Sequence, residues 1–380
     1  MGYGRGLSLT ASSSQYFTVL SPFLDLSSKS FTIEARIFPI ISSSADFGIF
    51  STFQCFICTN QGLSLLIRNY QLYVIFTNND LAGNTTLVTN TWYHIAFVYN
   101  YNTYQQILYI NGVQDVMKSN AAPYQGLNGT LIIGASQAYS LLRYFNGYID
   151  NFKITTRAKS ASEILTAATL IAYFPFDFPT ATFDFGPNGL NGSSTNVINV
   201  PGRIKQGLRF TGSSSYFQTY GFYQMGYAVT NNRPFSIALW INPVTAISCT
   251  IVQVSPTLSS SCHNMIGLAT ALGVTAQVII QGWAWPFVYG PVAPLNSWTH
   301  ITVTYSFSTG LTLYTNGTWI GNTGSFTFGT SGAISYILLG YYTSCSSNYI
   351  SNTAYQGLVD EMYVYSRALT QSEAIALANP

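Results

Sequence analysis

Charge is what this sequence has least of. Only 7% of its 380 residues are Asp, Glu, Lys or Arg, against about 25% in an ordinary soluble protein. The formal net charge of +2 excludes the basic footprint of a nucleic-acid binder and the polybasic patch of a protein held on an acidic membrane surface. No apolar run approaches the roughly 18 residues of a membrane-spanning helix. The opening residues, MGYGRGLSLTASSSQYF, lack the continuous apolar segment of a signal peptide, so the chain reads as a mature fragment or one whose signal has been left out.

Clustered acids are missing too. The twelve acidic residues are scattered, and no strand carries two carboxylates placed to meet at the roughly 5 Å that retaining glycosidases use. The adjacent Asp360 and Glu361 are predicted to point to opposite faces of a sheet. No Ser or Cys nucleophile with a supporting acid accompanies His94, His300 or His263. His94 and His300 each follow a Trp (Trp92, Trp298) by two residues, at matching places, which suits a packed or hydrogen-bonded role. The chain reads as no enzyme.

What is present is aromatic and hydroxylic. Aromatics make up 16% of the chain, which argues against disorder; the surface is therefore built of hydroxyls, amides and tyrosines. A net charge near zero favours association over solubility. Five cysteines stand at Cys55, Cys58, Cys249, Cys262 and Cys345. Cys55 and Cys58 have redox or zinc spacing, but no second pair completes a tetrahedral site; a local disulfide or two buried thiols is the reading. Cys249 and Cys262 are placed to clip a loop, which leaves Cys345 odd. Glycosylation acceptors occur at Asn84, Asn128, Asn191 and Asn316, about as many as so Asn-, Ser- and Thr-rich a chain gives by accident.

The length favours two domains, and the sequence repeats itself accordingly. FTIEARIFP from Phe31 returns as FSIALWINP from Phe235, NTWYHIAFVY from Asn90 as NSWTHITVTY from Asn296, and LYINGV from Leu108 as LYTNGT from Leu313. LIIGAS, GLSLTASSSQYF and GYIDNFKITTRAKSASEIL recur as ILLGYY, GLRFTGSSSYF and GLVDEMYVYSRALTQSEAI. All are displaced by roughly 200 residues, far beyond a solenoid period. The matched segments alternate apolar and polar residues between Asn-Gly and Gly turns. The expected fold is all-β: two tandem antiparallel β-sandwich jelly rolls, residues 1–170 and 171–380, each closed by a terminal strand and a short helix with a capping box (SASE from Ser160, TQSE from Thr370). Unbroken alternation puts Leu358, Asp360, Met362 and Val364 on one face of that strand, and Tyr148, Asp150, Phe152 and Ile154 on the matching one.

These motifs, with YFPFDFPTATFDFGPNGLNGS from Tyr173, resemble the laminin-G-like jelly rolls of the concanavalin A-like lectin/glucanase superfamily, twice over nearly the whole chain. The resemblance implies two curved antiparallel sheets and an extracellular, secreted or surface-associated place. Some laminin-G-like domains bind calcium through Asp and backbone oxygens, which makes Asp184, Asn188, Asn191 and Asp360 candidate Ca2+ ligands; turn hydrogen bonds are the alternative. QGWAWPFVYGP from Gln281 has no match in the first copy and offers Trp283, Trp285 and Tyr289 as an aromatic platform for a glycan or a protein, or as buried aromatics. The first copy lacks the opening strand that residues 171–191 give the second. A strand so missing leaves an unpaired edge, to be filled by sequence upstream of that given, by residues 171–177 shared between the two copies, or by a strand from a neighbouring subunit; the expectation is that another polypeptide segment completes it. The reading is a non-enzymatic structural or adhesive protein that self-associates, as a filament subunit, or binds matrix; a lectin-like carbohydrate-binding module is the alternative.

Overall fold

The computed structural model describes all residues except 1–5, 20–23, 56, 128, 139–140, 213, 226–231, 259–261, 272, 283–285, 329–331, 341–344 and 346–348. The chain forms two compact units, Met1–Thr169 and Leu170–Pro380. Each is a sandwich of two antiparallel sheets, the jelly roll expected.

In the first unit one sheet runs in the order Leu7–Leu9, Gly147–Thr155, Phe31–Pro39, Tyr93–Asn100, Gln105–Ile110, Val113–Lys118. The other runs Phe17–Val19, Thr130–Ile133, Phe47–Phe53, Gly62–Arg68, Gln71–Ile75, Leu81–Thr86. Alternate residues of both face a shared core that includes Phe31, Ile33, Ile95, Phe97, Leu65 and Val74. The second unit repeats this order and adds strands. Leu170–Phe174 and Gln206–Thr211 both lie along Gln356–Tyr365, Ile198–Pro201 borders Gln206–Thr211, and Ser193–Thr195 borders Tyr216–Phe222.

The repeated phrases have local causes. Both Asn-Gly turns carry positive φ at both central residues, 51° and 82° at Asn111–Gly112 and 49° and 76° at Asn316–Gly317, which a two-residue hairpin requires. Each Asn side chain accepts the N–H of its unit's histidine, His94 or His300, at 2.9 and 2.8 Å. Each closing helix, Ala161–Thr169 or Gln371–Leu377, packs directly on the turn glycine: a Cβ at Gly112 or Gly317 would stand 2.8 or 2.7 Å from the helix backbone at Leu165 or Ile375. Both capping boxes form, through Ser160 with Glu163 and Thr370 with Glu373. The Arg of the phrase, Arg157 or Arg367, grips the capping Glu with both guanidinium nitrogens. A hydroxyl from the first core strand, Thr32 or Ser236, donates to the carbonyl of that Arg. The phrase is a clamp.

The terminal strands depart from the expected alternation. A bulge at Asp360–Glu361 places Tyr363 opposite Ala238 but Asp360 opposite Trp240, and one at Asp150–Asn151 does the same in the first unit. The cause is local. Each Asp accepts the N–H of its successor, at 2.9 and 2.8 Å, and the successor turns to positive φ, 52° at Glu361 and 50° at Asn151. Val359, Met362 and Val364 therefore face the core and are fully buried, while Leu358 and Asp360 do not share their face. In the first unit Ile149, Phe152 and Ile154 turn inward, and Tyr148 is exposed.

The pairing of Cys249, Cys262 and Cys345 also differs from the expectation. Cys55 bonds Cys58, and Cys262 bonds Cys345, leaving Cys249 as a buried thiol. Cys249 cannot reach Cys262 because the strands Cys249–Ser255 and His263–Ala271 pair with Cys249 opposite Leu268 and Val254 opposite His263. The two cysteines thus lie at opposite ends of one hairpin.

Candidate functional site

The opening segment of the second unit builds a cleft of about 710 Å³ that the sequence reading did not single out. Tyr173 stands at its back. Its ring stacks on Tyr363 from the neighbouring strand, centroids 4.3 Å apart, and its hydroxyl donates to Glu361 at 2.8 Å. Tyr363 donates to the same oxygen at 2.9 Å. Glu361 is buried, and that burial pushes its carboxyl above the usual range, against the two tyrosine donors.

The walls are aromatic and unusually open. Phe178 is 71% exposed and Phe185 56% exposed, and both line the cleft with Pro175 and Thr180. Phe185 is held in place by its N–H, which donates to the Tyr173 carbonyl at 2.8 Å, while the Tyr173 N–H donates to Asp184 at 2.8 Å. The pair grips one residue of the strand from both sides. Gly186 permits this approach: a Cβ there would lie 2.8 Å from the Asp184 carboxylate and 3.0 Å from the strand backbone. Phe178 is anchored by its N–H to the Gln206 side chain at 3.0 Å.

The rim is polar and charge-balanced. Asp177 accepts the Gln206 N–H at 3.1 Å and pairs with Lys205 at 3.2 Å. The Lys205 ammonium, open to solvent, keeps donors to offer. Such a cleft presents flat apolar faces beside a donor and an acceptor of cancelling charge, which suits a neutral, hydroxyl-rich ligand better than an ion.

The sequence candidates do not form this site directly. Asp184 accepts from Tyr173, Gly186 and Leu190 through its two oxygens, at 2.7 to 2.8 Å, and its own N–H donates to Asn191. Asn188 donates to the Ile171 carbonyl at 2.6 Å. Asp360, on the terminal strand, holds another loop, accepting the N–H groups of Arg203 and Ile204 at 2.7 and 2.9 Å; burial pushes its carboxyl up to about 7 despite those donors. These residues do not fit calcium: at Asp184, Asn191 and Asp360 amide protons already point at the oxygens a hard cation would need, and Asp360 serves a different loop from the other three. Among the described residues no group of three or more His, Cys, Asp or Glu gathers.

Trp283 and Trp285 lie outside the described residues. Tyr289 is half-buried, edge-on to Phe287 at 5.2 Å and packed against Ala269, Ile279 and Ile350. Of the glycosylation acceptors, Asn84, Asn191 and Asn316 are exposed, while Asn128 lies outside the described residues. The signal that could have found the cleft is FPFDFPTATFDF itself, where alternate aromatics are interrupted by prolines that keep a continuous strand from forming.

Residues 11–165 and 212–375 match the profile of the laminin-G family described as the concanavalin A-like lectin/glucanases superfamily. No curated protein matches the sequence. Among solved structures the chain is similar to domain 4 of an extracellular arabinanase from Geobacillus stearothermophilus in complex with arabinotriose, at 21% identity and a TM-score of 0.41, covering 55% of this chain and 98% of that one. It is also similar to domains LG4-5 of the mouse laminin alpha1 chain, at 13% identity and a TM-score of 0.32, covering 97% and 92%. The binding domain of a paraclostridial mosquitocidal protein is similar at 18% identity and a TM-score of 0.41, covering 56% of this chain and 52% of that one.

Proposed function

The chain belongs to the laminin-G-like family of the concanavalin A-like lectin/glucanases superfamily, and from that premise we propose that it is a non-enzymatic adhesive protein acting outside the cell, which recognises carbohydrate through the cleft of its second unit. The observation that carries this reading is the pair of exposed rings, Phe178 and Phe185, set beside the Asp177–Lys205 rim. A sugar ring packs its C–H face on an aromatic and turns its hydroxyls to the rim. Catalysis is not supported by the same site. Glu361 is buried behind Tyr173 with two hydroxyls on one oxygen, so it cannot reach a glycosidic bond.

The test is titration of immobilised arabinan, β-glucan and galactan oligosaccharides with the intact chain. Binding to at least one, weakened tenfold or more by Phe178→Ala or Phe185→Ala with an unchanged melting temperature, is expected. Reducing ends should not be released. Binding indifferent to both substitutions, or turnover abolished by Asp177→Asn, would defeat the proposal.

A second reading, self-association into a repeating assembly, is favoured by a different observation: among the described residues, no strand lies along the outer side of residues 152–155 in the Gly147–Thr155 strand of the first unit. Among the described residues, Leu7–Leu9 pairs with it only at residues 147–149. Sedimentation of the native chain tests this reading; a stable monomer at high concentration would remove it.

A further inference from the structure

One hairpin is built twice and finished differently. Asn111–Gly112 and Asn316–Gly317 turn the same corner, but the strands leaving them diverge. The first continues with Val113 and Gln114, the second with Thr318 and Trp319. Thr318 completes an Asn-x-Thr acceptor for N-linked sugar, and Val113 does not. Gln114 and Trp319 hold the same register, opposite Tyr109 and Tyr314. The hairpin with the acceptor thus carries an indole where its counterpart carries an amide. Trp319 is 49% exposed. Ile375, whose backbone a Cβ on Gly317 would meet at 2.7 Å, is 46% exposed. Two large apolar side chains therefore stand open around this one turn.

The side chain of Asn316 is set for attachment. Its Oδ1 accepts the His300 N–H at 2.8 Å, and its own backbone N–H donates to the His300 carbonyl at 2.9 Å. These bonds fix the amide with its oxygen inward. Its Nδ2 has no hydrogen-bond partner among the described residues, and the residue is exposed. Asn84 is the contrary case. Its Nδ2 donates to the Asp115 carbonyl at 3.1 Å, while the Asp115 carboxylate takes the N–H groups of Asn84 and Thr85. Asn191 also has no partner at Nδ2 among the described residues, but its Ser193 lies opposite Gln218, not an aromatic.

We infer that Asn316 is an N-glycosylation site whose first sugar packs its C–H face on Trp319, with Ile375 at its side. The inference rests on the extracellular placing in the reading above and not on the cleft. In the transfer, Nδ2 of Asn316 bonds to C1 of an N-acetylhexosamine carried on a lipid pyrophosphate. The C1–O bond breaks, the lipid pyrophosphate leaves with the electron pair, and one amide proton passes to a carboxylate of the transferase. Transfer takes place on the unfolded chain, so the part of the fold is to house the product. Oδ1 keeps its lone pairs for the His300 amide, and the hairpin survives the modification. Contact of the sugar with the indole then covers apolar surface that the turn otherwise leaves in water.

The experiment is secretion of the full chain from insect cells behind a cleavable leader, with peptide mapping after enzymatic release of N-glycans in heavy-oxygen water. Asn316 is expected to appear as labelled Asp in most copies. Thr318→Ala should abolish the label while leaving the bonds between Asn316 and His300, and hence the fold, in place. Trimming to the one linked sugar should leave the melting temperature unchanged. Complete removal should lower it by about 2 °C or more, and by much less in Trp319→Gln, which takes the residue of the first unit. A folded, secreted chain without label at Asn316 would overturn the inference and leave the cleft reading standing. The same drop in Trp319→Gln as in the parent would overturn the seat on Trp319. A chain labelled at Asn316 that binds no oligosaccharide would strike the cleft reading alone.

Discussion

The ring of Tyr173 lies flat on that of Tyr363, 11° from parallel, and the two hydroxyls share one oxygen of Glu361. This stack welds the opening strand of the second unit to its terminal strand. Truncating Glu361 to Ala leaves two half-buried hydroxyls without their acceptor, at a cost of about 1–3 kcal/mol. Glu361→Gln keeps an acceptor oxygen and should cost less. Urea denaturation of both variants checks the order; equal losses would count against the shared acceptor.

Asp184 is predicted to be a latch and not a cation ligand. Asp184→Ala should lower stability by about 1–3 kcal/mol through three orphaned amides, and should weaken carbohydrate binding by releasing Phe185. Millimolar calcium and EDTA should leave the melting temperature of the intact chain unchanged. A calcium-dependent rise of several degrees, lost in Asp184→Ala, would refute this assignment.

Glu34 and Lys159 form a buried ion pair in the first unit, with His94 at 3.6 Å from the second carboxylate oxygen. The second unit has Ala238 and Leu369 at these places. Removing one partner leaves a buried charge uncompensated, which costs about 3–5 kcal/mol. Glu34→Ala and Lys159→Leu should therefore each destabilise strongly, while the double variant regains most of the loss. A double variant as unstable as the sum of its singles would show no coupling.

Buried groups give the stability opposing pH dependences. Burial lowers His263 and His300 to about 4, so the folded chain binds fewer protons than the unfolded one between about 4 and 6.5. Their contribution is present above 6.5 and lost as pH falls through 4, roughly 3 kcal/mol each. Asp360, raised to about 7, contributes below about 4, and that contribution is lost as pH rises through 7. His300→Gln should make the urea midpoint climb less with pH across that window, and Asp360→Asn should make it climb more. Profiles parallel to the parent would contradict both assignments.

Much of the fold was legible because its causes are local. Asn111–Gly112 and Asn316–Gly317 announce hairpins through positive φ, and Ser160 and Thr370 announce helices through a Glu three residues on. The sequence also carried the repetition, which requires only comparison of the chain with itself. The bulge at Asp360 was not legible, since alternation is the default and the Asp side chain breaks it by taking the next amide. The cleft was missed for a related reason: its walls come from residues 173, 178, 185 and 205, which only hydrogen bonds across the loop bring together.

Composition, turn chemistry and periodicity thus determined by themselves that this is an all-β protein of two related halves, because those signals act over a few residues. Tertiary structure alone decided that Cys262 bonds Cys345 and not Cys249, because strand register separates positions that lie near in sequence. It alone decided that Phe217 is buried and Phe17 is not. The two residues sit in nearly identical local sequence, and Phe217 is covered by a segment distant in sequence, through the rings of Phe174 and Phe176 and the strand Ser193–Thr195 that pairs with it.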